Sequence, residues 1–505
     1  MASIGIDLGT TNSLAARVNA RGIPAVYPDR NDASLFQTPS VVHIDGSLAL
    51  VGKAAEDLQE EKPALRVARH FKLQLGNGDV RPVNVADWST WGAVAYSSLV
   101  LKKLRMDAEA FDAEPVEGAV VTVPANFSDP QRKATLAAAD LAGLKVLRLV
   151  EEPVAAAVFY AAQTKSADTT SLVFDFGGGT FDASVVRTAA SGVSVLATEG
   201  CVSVGGRNLD DAIIALIGNQ VTRVGGPDLR TDAAAWSQAR RYAETAKIKL
   251  SNPSLTQVRQ TILIGGRTLD FLLSRREIDA VVDPYMDQVL AACKRCLVSA
   301  GLKWSDLDRL LLTGGTCLVP RVLERLQQEC NKPTSAIVRQ QPHQAIAFGA
   351  AILAQQATAP QSPETGGIVQ QIAPYELGLR VWDSKTKSVC VQPLISRNTP
   401  LPATSCRTFY TSRADQARMV FDLVQRRELT ELVSLGFFEF GPIVASQKNY
   451  PVELVVEYDR AGVLHVRCRD PRNGNEVRRT YGENGQRDAG VQSLRKCIEG
   501  ARINE

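Results

Sequence analysis

The chain has 505 residues, 45% of them hydrophobic and 22% charged, the balance of an ordinary soluble globular protein of about two to four domains. A formal net charge of +3 makes no case for nucleic acid as a partner, and nine cysteines, an odd count scattered from Cys201 to Cys497, argue against a disulfide framework and for a reducing compartment. No run reaches the roughly 18 apolar residues of a membrane span, and the first strand begins too early for a signal peptide, so the expected location is cytoplasmic, with no membrane partner.

Residues 4–18 read as an apolar strand ending in Asp7, a Gly-Thr-Thr turn and a returning strand. Residues 24–52 read as short strands with turns, and 53–72 as helical in part. An apolar strand at 117–123 precedes a helix start at Ser128, which caps, with Gln131 completing a capping box and Pro130 in the first turn; Gly143 is the natural stop. A strand at 145–150 leads to Glu151-Glu152-Pro153 and a second helix, where Glu152 meets the orphan N–H groups of the helix start; that capping role alone would explain it.

The organising stretch is residues 172–186, with a strand, three glycines, Thr180 and two aspartates before the chain returns. Consecutive glycines turn tightly and leave backbone N–H groups open to an anion. Asp175 and Asp182 repel bare phosphate, and make sense if a divalent cation, held through waters as Mg²⁺ prefers, lies between. An Asp-capped glycine hairpin would explain the stretch equally well on its own, but Asp7 stands in the same setting, which points to a domain-sized internal duplication. A third glycine turn closes an apolar strand at 309–315. Two facing phosphate hairpins and this turn imply a nucleotide cleft between two similar lobes.

Residues 202–217 hold Gly205-Gly206 and then a helix; 232–251 form a helix with Glu244, Lys247 and Ser251 near one face, for which a solvated charged face is the plain alternative. Helices around 277–301 and 319–330 follow, and 344–355 closes the region. Cys293 and Cys296 lie within the first of these without a second pair, so zinc is not expected. Residues 356–371 read as a linker. Beyond it the period becomes two, with a hairpin at 459–462 and a tight turn at Asn473-Gly474, as in a sandwich of about seven or eight strands. Val491, Leu494, Ile498 and Ala501 then mark one amphipathic helix.

The segments IGIDLGTTNS (4–13), VTVPANFSDPQRKATLAAADLAGL (121–144), EEPVAAAVFYA (151–161), VFDFGGGTFD (173–182), AETAKIKLS (243–251) and LLLTGG (310–315) resemble the actin-like ATPase superfamily, and specifically the seventy-kilodalton heat-shock chaperone family, DnaK-like. They span about the first 355 residues in family order, while 372–482 are more faintly similar to the family's β-sandwich. The resemblance implies an α/β actin-like (ribonuclease H-like) two-lobed ATPase followed by an all-β sandwich. The nucleotide-binding domain is expected at 1–355, the linker at 356–371, the substrate-binding sandwich at 372–482, and a short C-terminal helix at 483–505 with the helical lid absent.

By the same resemblance the reaction is slow hydrolysis of ATP to ADP and phosphate. Gly9, Thr10, Thr11, Asn12, Gly177, Gly178 and Gly179 cradle the phosphates, and Asp7 and Asp175 hold Mg²⁺ through waters, with Glu152 outside them and K⁺ as a further ion. Lys72 balances the γ-phosphate, Thr180 touches it and Asp182 takes the proton of the attacking water. Gly205, Gly206, Glu244, Lys247, Ile248, Ser251, Gly314, Gly315, Leu318 and His343 receive the rest of the nucleotide. Three departures stand out: Arg207 and Asn208 replace acidic residues, Leu318 replaces an arginine that stacks on the base, and His343 replaces an aspartate. Leu379, Phe409, Met419 and Phe421 line the peptide pocket, with Trp382 and Ser412 over the bound strand; plain sandwich core is the alternative for the apolar ones. Pro124 and Arg132 form an interdomain switch, but the docking stretch of the linker, 366–371, lacks acidic residues and offers only Ile368 and Val369 as an apolar pair, so weak docking and weak coupling are expected.

The implied function is an ATP-dependent chaperone for unfolded or extended polypeptides, with a J-domain co-chaperone and a nucleotide exchange factor as partners. The alternatives are an ATP-binding co-chaperone or scaffold with little peptide cycling, and a small-molecule kinase of the same superfamily, against which the sandwich argues.

Overall fold

The runs around Ile4 and Ile6 and around Leu172 and Phe174 become central strands covered on both faces, with all four side chains fully buried. The computed structural model describes residues 2–62, 65–77, 92–164, 168–201, 203–226, 228–231, 233–264, 267–358, 368–383, 388–426, 431–443, 448–460, 462–481 and 489–504. One six-stranded sheet runs Pro24–Val26, Asn12–Val18, Ala2–Asp7, Val116–Val123, Val146–Glu151, with Thr38–Pro39 pairing Asn12–Val18. The other runs Ile337–Val338, Arg309–Thr313, Thr169–Phe176, Phe181–Ala189, Gly192–Cys201, Ile368–Gln370. In both, the central strand turns back antiparallel through the glycine hairpin and takes a parallel strand on its other edge. The duplication read from Asp7 and Asp175 is therefore a repeated sheet topology in two lobes.

The helices Glu152–Thr164 and Ala345–Thr358 pack between the lobes. Ala155, Phe159, Ala347 and Phe348 join Val120 of one sheet and Val173 of the other in a single apolar cluster. A Cβ on Gly349 would fall 1.7 Å from the Ala155 carbonyl oxygen, so only glycine allows this approach. Elsewhere the local signals hold: the helix Asp129–Leu141 starts at Ser128, whose N–H donates to Gln131 Oε1 at 3.0 Å.

The last helix of this region runs to Thr358, past the expected boundary at 355. Most of the expected linker, including Gly366 and Gly367, lies outside the described residues. Its end, Ile368–Gln370, is an edge strand parallel to Gly192–Cys201, with Val369 buried and its carbonyl accepting from Arg148 Nη2 at 3.0 Å. The end of the linker, Ile368–Gln370, is thus docked. Pairing through the backbone needs neither acidic side chains nor a long apolar run, which the expectation of weak docking did not weigh.

Two four-stranded antiparallel sheets follow. One is ordered Ser388–Ile395, Glu376–Asp383, Met419–Arg426, Leu432–Phe440, and the other Ala403–Tyr410, Pro451–Tyr458, Leu464–Arg469, Glu476–Tyr481. Alternate residues such as Val452, Leu454 and Val456 face Leu377, Leu379, Leu423 and Phe440 across the sandwich core. This sandwich rests on the first lobe. Tyr375 donates its hydroxyl to the Asn126 carbonyl, Tyr458 donates to Asp129 Oδ2 at 2.9 Å, and Gln425 accepts from the Asp129 N–H at 3.1 Å while donating to the Tyr458 oxygen at 2.9 Å. Arg397 reaches the second lobe through Glu199 at 2.8 Å.

Burial of Asp129 in this junction pushes its carboxyl up to about 6, against the hydrogen bond from Tyr458 and the charges of Arg132 and Lys133. An exposed aspartate titrates near 3.9. The docked form therefore holds a proton more tightly than an undocked one, and docking gains strength as pH falls through 6 toward 4. Fluorescence transfer between dyes on the sandwich and the first lobe should rise from pH 7.5 to pH 5. Asp129→Asn should flatten that dependence; an unchanged slope in this variant would mean that another group controls docking.

The amphipathic segment after the sandwich becomes the helix Ala489–Gly500, and the chain then adds a strand, Arg502–Ile503, parallel to Leu48–Val51. The expected short C-terminal helix is therefore a helix plus a strand, seated on the first lobe. Leu494, Ile498 and Ile503 are buried in the first lobe's core with Leu99 and Leu141; the side chain of Val491 lies outside the described residues. Lys102 Nζ donates to the carbonyls of Ile498, Glu499 and Ala501 at 2.7, 3.0 and 2.8 Å, a cation capping a helix C-terminus. Asn504 brackets Val51, accepting from its N–H at 2.7 Å and donating to its carbonyl at 2.9 Å.

Candidate functional site

The two glycine hairpins meet tip to tip where the lobes face each other. A Cβ on Gly178 would fall 2.0 Å from Thr11 Oγ1, so the second hairpin can approach the first only because it has no side chain there. The turn closes on itself through Gly177 N–H to the Thr180 carbonyl at 3.1 Å. Gly206 and Arg207 donate their N–H groups to the carbonyls of Gly177 and Gly178, at 3.0 and 2.8 Å, and Thr316 Oγ1 donates to the Gly177 carbonyl at 2.8 Å. The three predicted turns thus form one continuous cradle.

Beneath it lie four buried carboxylates, Asp7, Glu152, Asp175 and Asp182, and one buried ammonium. Lys72, only 4% exposed, donates to Glu152 Oε1 at 2.7 Å. Asp175 and Asp182 face each other directly across the hairpin register. Burial and then the Glu152 charge push Asp7 up to about 7, with Lys72 and Thr122 pulling back. Burial, Glu152, Asp182 and Asp7 drive Asp175 well above the carboxylate range. Burial and Glu152 carry Asp182 to about 8. Burial disfavours the Lys72 charge, but Glu152 and Asp7 outweigh it and hold the ammonium above its usual range. Without a counter-cation these acids could not all ionise together.

That donor set, the side-chain-free cradle and the buried Asp182 Oδ1 with no hydrogen-bond partner fit a magnesium ion carrying phosphates. Among the described residues no three His, Cys, Asp or Glu side chains are grouped to ligate one ion directly.

One cavity of about 1380 Å³ runs through this cradle. Asp7, Gly9, Thr10, Thr11, Asn12, Lys72, Glu152, Asp175, Gly177, Gly178, Gly179, Thr180 and Gly206 line its phosphate end, and Glu244, Lys247, Ile248, Ser251, Gly314, Gly315, Leu318 and His343 line the rest. Of the residues expected here, Asp182 and Gly205 stand behind the wall: Asp182 is enclosed by its own hairpin, and Gly205 backs directly onto Gly179. Lys247 Nζ is already tied to Asp210 Oδ2 at 2.8 Å. Ile248 is 62% exposed, and the His343 ring lies against Gly315. Sequence reasoning missed Thr122, which donates to Asp7 Oδ1 at 3.5 Å; its one signal was a lone hydroxyl inside an apolar strand.

Arg132 is buried in an ion pair with Glu151 at 2.9 Å and donates through Nε to the Phe127 carbonyl, while Pro124 accepts from Phe127 N–H at 3.1 Å. In the sandwich, Leu379 and Phe421 are buried in the core, and Phe409 and Met419 are half-buried at its margin. The Phe409 and Phe421 rings meet edge to face at 5.3 Å. Ser412 is exposed in a turn held by Gln416, and the Trp382 side chain lies outside the described residues. Cys293 and Cys296 are buried in the second lobe, and burial pushes the Cys296 thiol up to about 12. No described helix is long and apolar enough to cross a membrane.

A family model described as Hsp70 protein matches residues 3–501. The chain is 33% identical over 479 residues to the chaperone protein DnaK of Cenarchaeum symbiosum (strain A), covering 92% of this chain and 71% of that relative. It is 32% identical over 487 residues to the chaperone protein DnaK of Nitrosopumilus maritimus (strain SCM1), covering 92% of this chain and 73% of that relative.

Proposed function

This chain belongs to the Hsp70 family, and from that premise we propose that it is an ATP-dependent chaperone, coupling Mg-ATP binding and hydrolysis in the cleft to binding of unfolded or extended polypeptide by the sandwich. The observation that carries the reading is the pair of facing hairpins over the buried Lys72–Glu152 pair and the three aspartates. Residues 1–355 form the nucleotide-binding part and 372–482 the peptide-binding part. A J-domain co-chaperone and a nucleotide exchange factor are its expected partners, and the unpaired cysteines suit a reducing, cytoplasmic setting.

Magnesium, when bound, neutralises charge on the phosphates and lets the surrounding carboxylates stay ionised. Asp7 and Asp175 hold it through waters, and Glu152 orients Lys72. Backbone N–H groups of the two turns bind and align the phosphates. Thr180 and Lys72 fix the γ-phosphoryl group for in-line attack, and Lys72 absorbs charge that develops on it. Asp182, behind the cavity wall, receives the water's proton by way of the Thr180 hydroxyl, which lines the cavity and hydrogen-bonds it. Single-turnover ATP cleavage, with and without an unfolded peptide, tests the whole reading: cleavage that peptide accelerates supports it, and no cleavage with magnesium present overturns it.

The base lies between Leu318 and Ile248, without a stacked cation. A guanidinium over the base contributes roughly 0.5–2 kcal/mol. Leu318→Arg should therefore tighten ADP by up to about tenfold, the equivalent of about 1.4 kcal/mol. Calorimetry showing no gain would remove Leu318 from the base site.

A further inference from the structure

The cavity of about 1380 Å³ exceeds the roughly 300–1,000 Å³ that a pocket for one small ligand occupies. Its surplus wall comes from both lobes and carries arginines interspersed with Glu56, Glu60, Asp210, Asp211 and Glu244. Arg69 and His70 lie three and two residues before Lys72 in the first lobe, and Arg207 and Arg240 face the same space from the second. Arg207 is anchored at the cradle by its own N–H on the Gly178 carbonyl, at 2.8 Å, so this wall adjoins the phosphate end.

We propose that Arg207 and Arg240, together with His70 on the same cavity wall, form an anion subsite beside the γ-phosphate position that takes inorganic phosphate. The inference rests on the ATPase reading and adds a holding place for one of its products.

Three features carry it. The first is charge without a direct partner: Arg69 is paired, with Glu56 at 3.2 Å and Gln59 at 3.0 Å, but among the described residues Arg207 and Arg240 form no ion pair. Asp211 and Glu244 act on Arg240 only at a distance. The second is crowding of like charges: burial, then Arg207, Arg240 and Arg69, push the His70 imidazole down to about 4, which makes it neutral near pH 7. Guanidinium groups with no ion-pair partner are stabilised by an anion, and their planar forks match phosphate oxygens. The third is unused hydrogen-bonding capacity at a strained place. His70 Nδ1 and Arg207 Nε are buried with no hydrogen-bond partner, and His70 sits at φ +56°, a region L-residues seldom adopt.

The chemistry balances without any other reactant. Water adds to the γ-phosphorus, the bond to the β-phosphate oxygen breaks, and ADP and inorganic phosphate result. The phosphate then moves from Lys72 to the arginines before it leaves the cleft, so the state with both products bound persists.

The test uses the full chain saturated with MgADP and titrated calorimetrically with inorganic phosphate at low salt. The wild type should bind phosphate saturably. Arg207→Gln combined with Arg240→Gln should weaken phosphate at least tenfold while the same samples still bind MgADP. Phosphate affinity within twofold of wild type in that variant, or no phosphate binding by the MgADP-loaded wild type, overturns the subsite and leaves the ATPase reading intact. A wild type that does not bind MgADP overturns both. If the double variant fails to bind MgADP, Arg240→Gln alone is used and must weaken phosphate at least threefold; a smaller change overturns the subsite.

Discussion

Lys72→Ala is expected to slow single-turnover ATP cleavage by about a hundredfold or more while Mg-ATP still binds, the scale typical of a lost electrostatic contributor. Lys72 is the one ammonium among four buried carboxylates, and it touches Glu152 at 2.7 Å. Removing it leaves Glu152 without its partner and strips the γ-phosphate of its nearest positive charge. The phosphate cradle is untouched, because its donors are backbone N–H groups of the two turns. Thr180→Ala is expected to act in the same direction, since Thr180 lines the phosphate end and its hydroxyl also hydrogen-bonds Asp182. Quenched-flow cleavage and equilibrium binding separate the two effects. Turnover unchanged in both variants would sink the catalytic assignment, and loss of binding without loss of cleavage in the bound fraction would assign both residues to affinity alone.

Ile498→Asp should release the C-terminal segment from the first lobe. Ile498 is 0% exposed and packs in that lobe's core with Leu494 and Ile503. Shortening such a side chain to alanine costs about 2–5 kcal/mol. A carboxylate there sits in an apolar cluster, and the neighbouring Lys102 ammonium is already committed to the carbonyls of Ile498, Glu499 and Ala501, so the cheaper outcome is for the segment to leave and take Arg502–Ile503 off the edge of Leu48–Val51. The Val51 amide, which donates to Asn504 Oδ1, should then exchange with solvent at least a hundredfold faster, and protease should cut within residues 483–505. Exchange at Val51 equal to wild type would mean that the segment is not held by its apolar face. Ile498→Ala should give a smaller shift of the same sign, which separates local release from misfolding.

Much of the site could be read from single stretches because its chemistry is local. A strand, an aspartate and a glycine turn are consecutive, and the turn's own backbone supplies the open N–H groups, so Asp7, Thr10, Thr11, Asp175 and Gly177–Thr180 can be proposed as a site before any fold is known. The capping signal at Ser128 and the alternation of Val452, Leu454 and Val456 are local in the same sense. Lys72 was not legible by itself: a lone lysine is ordinarily solvent-exposed, and the fold instead buries it against Glu152, eighty positions away. Asp182 could be named but not placed; the hairpin register sets it opposite Asp175 and behind the cavity wall.

The sequence by itself determined the two phosphate hairpins, the duplicated lobe plan, the helix starts and the alternating sandwich strands, because each depends on residues within one turn or one strand of each other. Tertiary structure alone decided what the amphipathic faces cover. Period and polarity say that Leu494 and Ile498 must be buried, but not that the first lobe buries them. They say that Tyr458 faces inward, but not that its hydroxyl reaches Asp129. They do not reveal that Arg69, His70, Arg207 and Arg240 come from both lobes to one wall. A periodic pattern sets the need for a partner surface; which surface meets it depends on contacts between residues far apart in the chain, and these exist only once both lobes, the sandwich and the C-terminal segment have packed together.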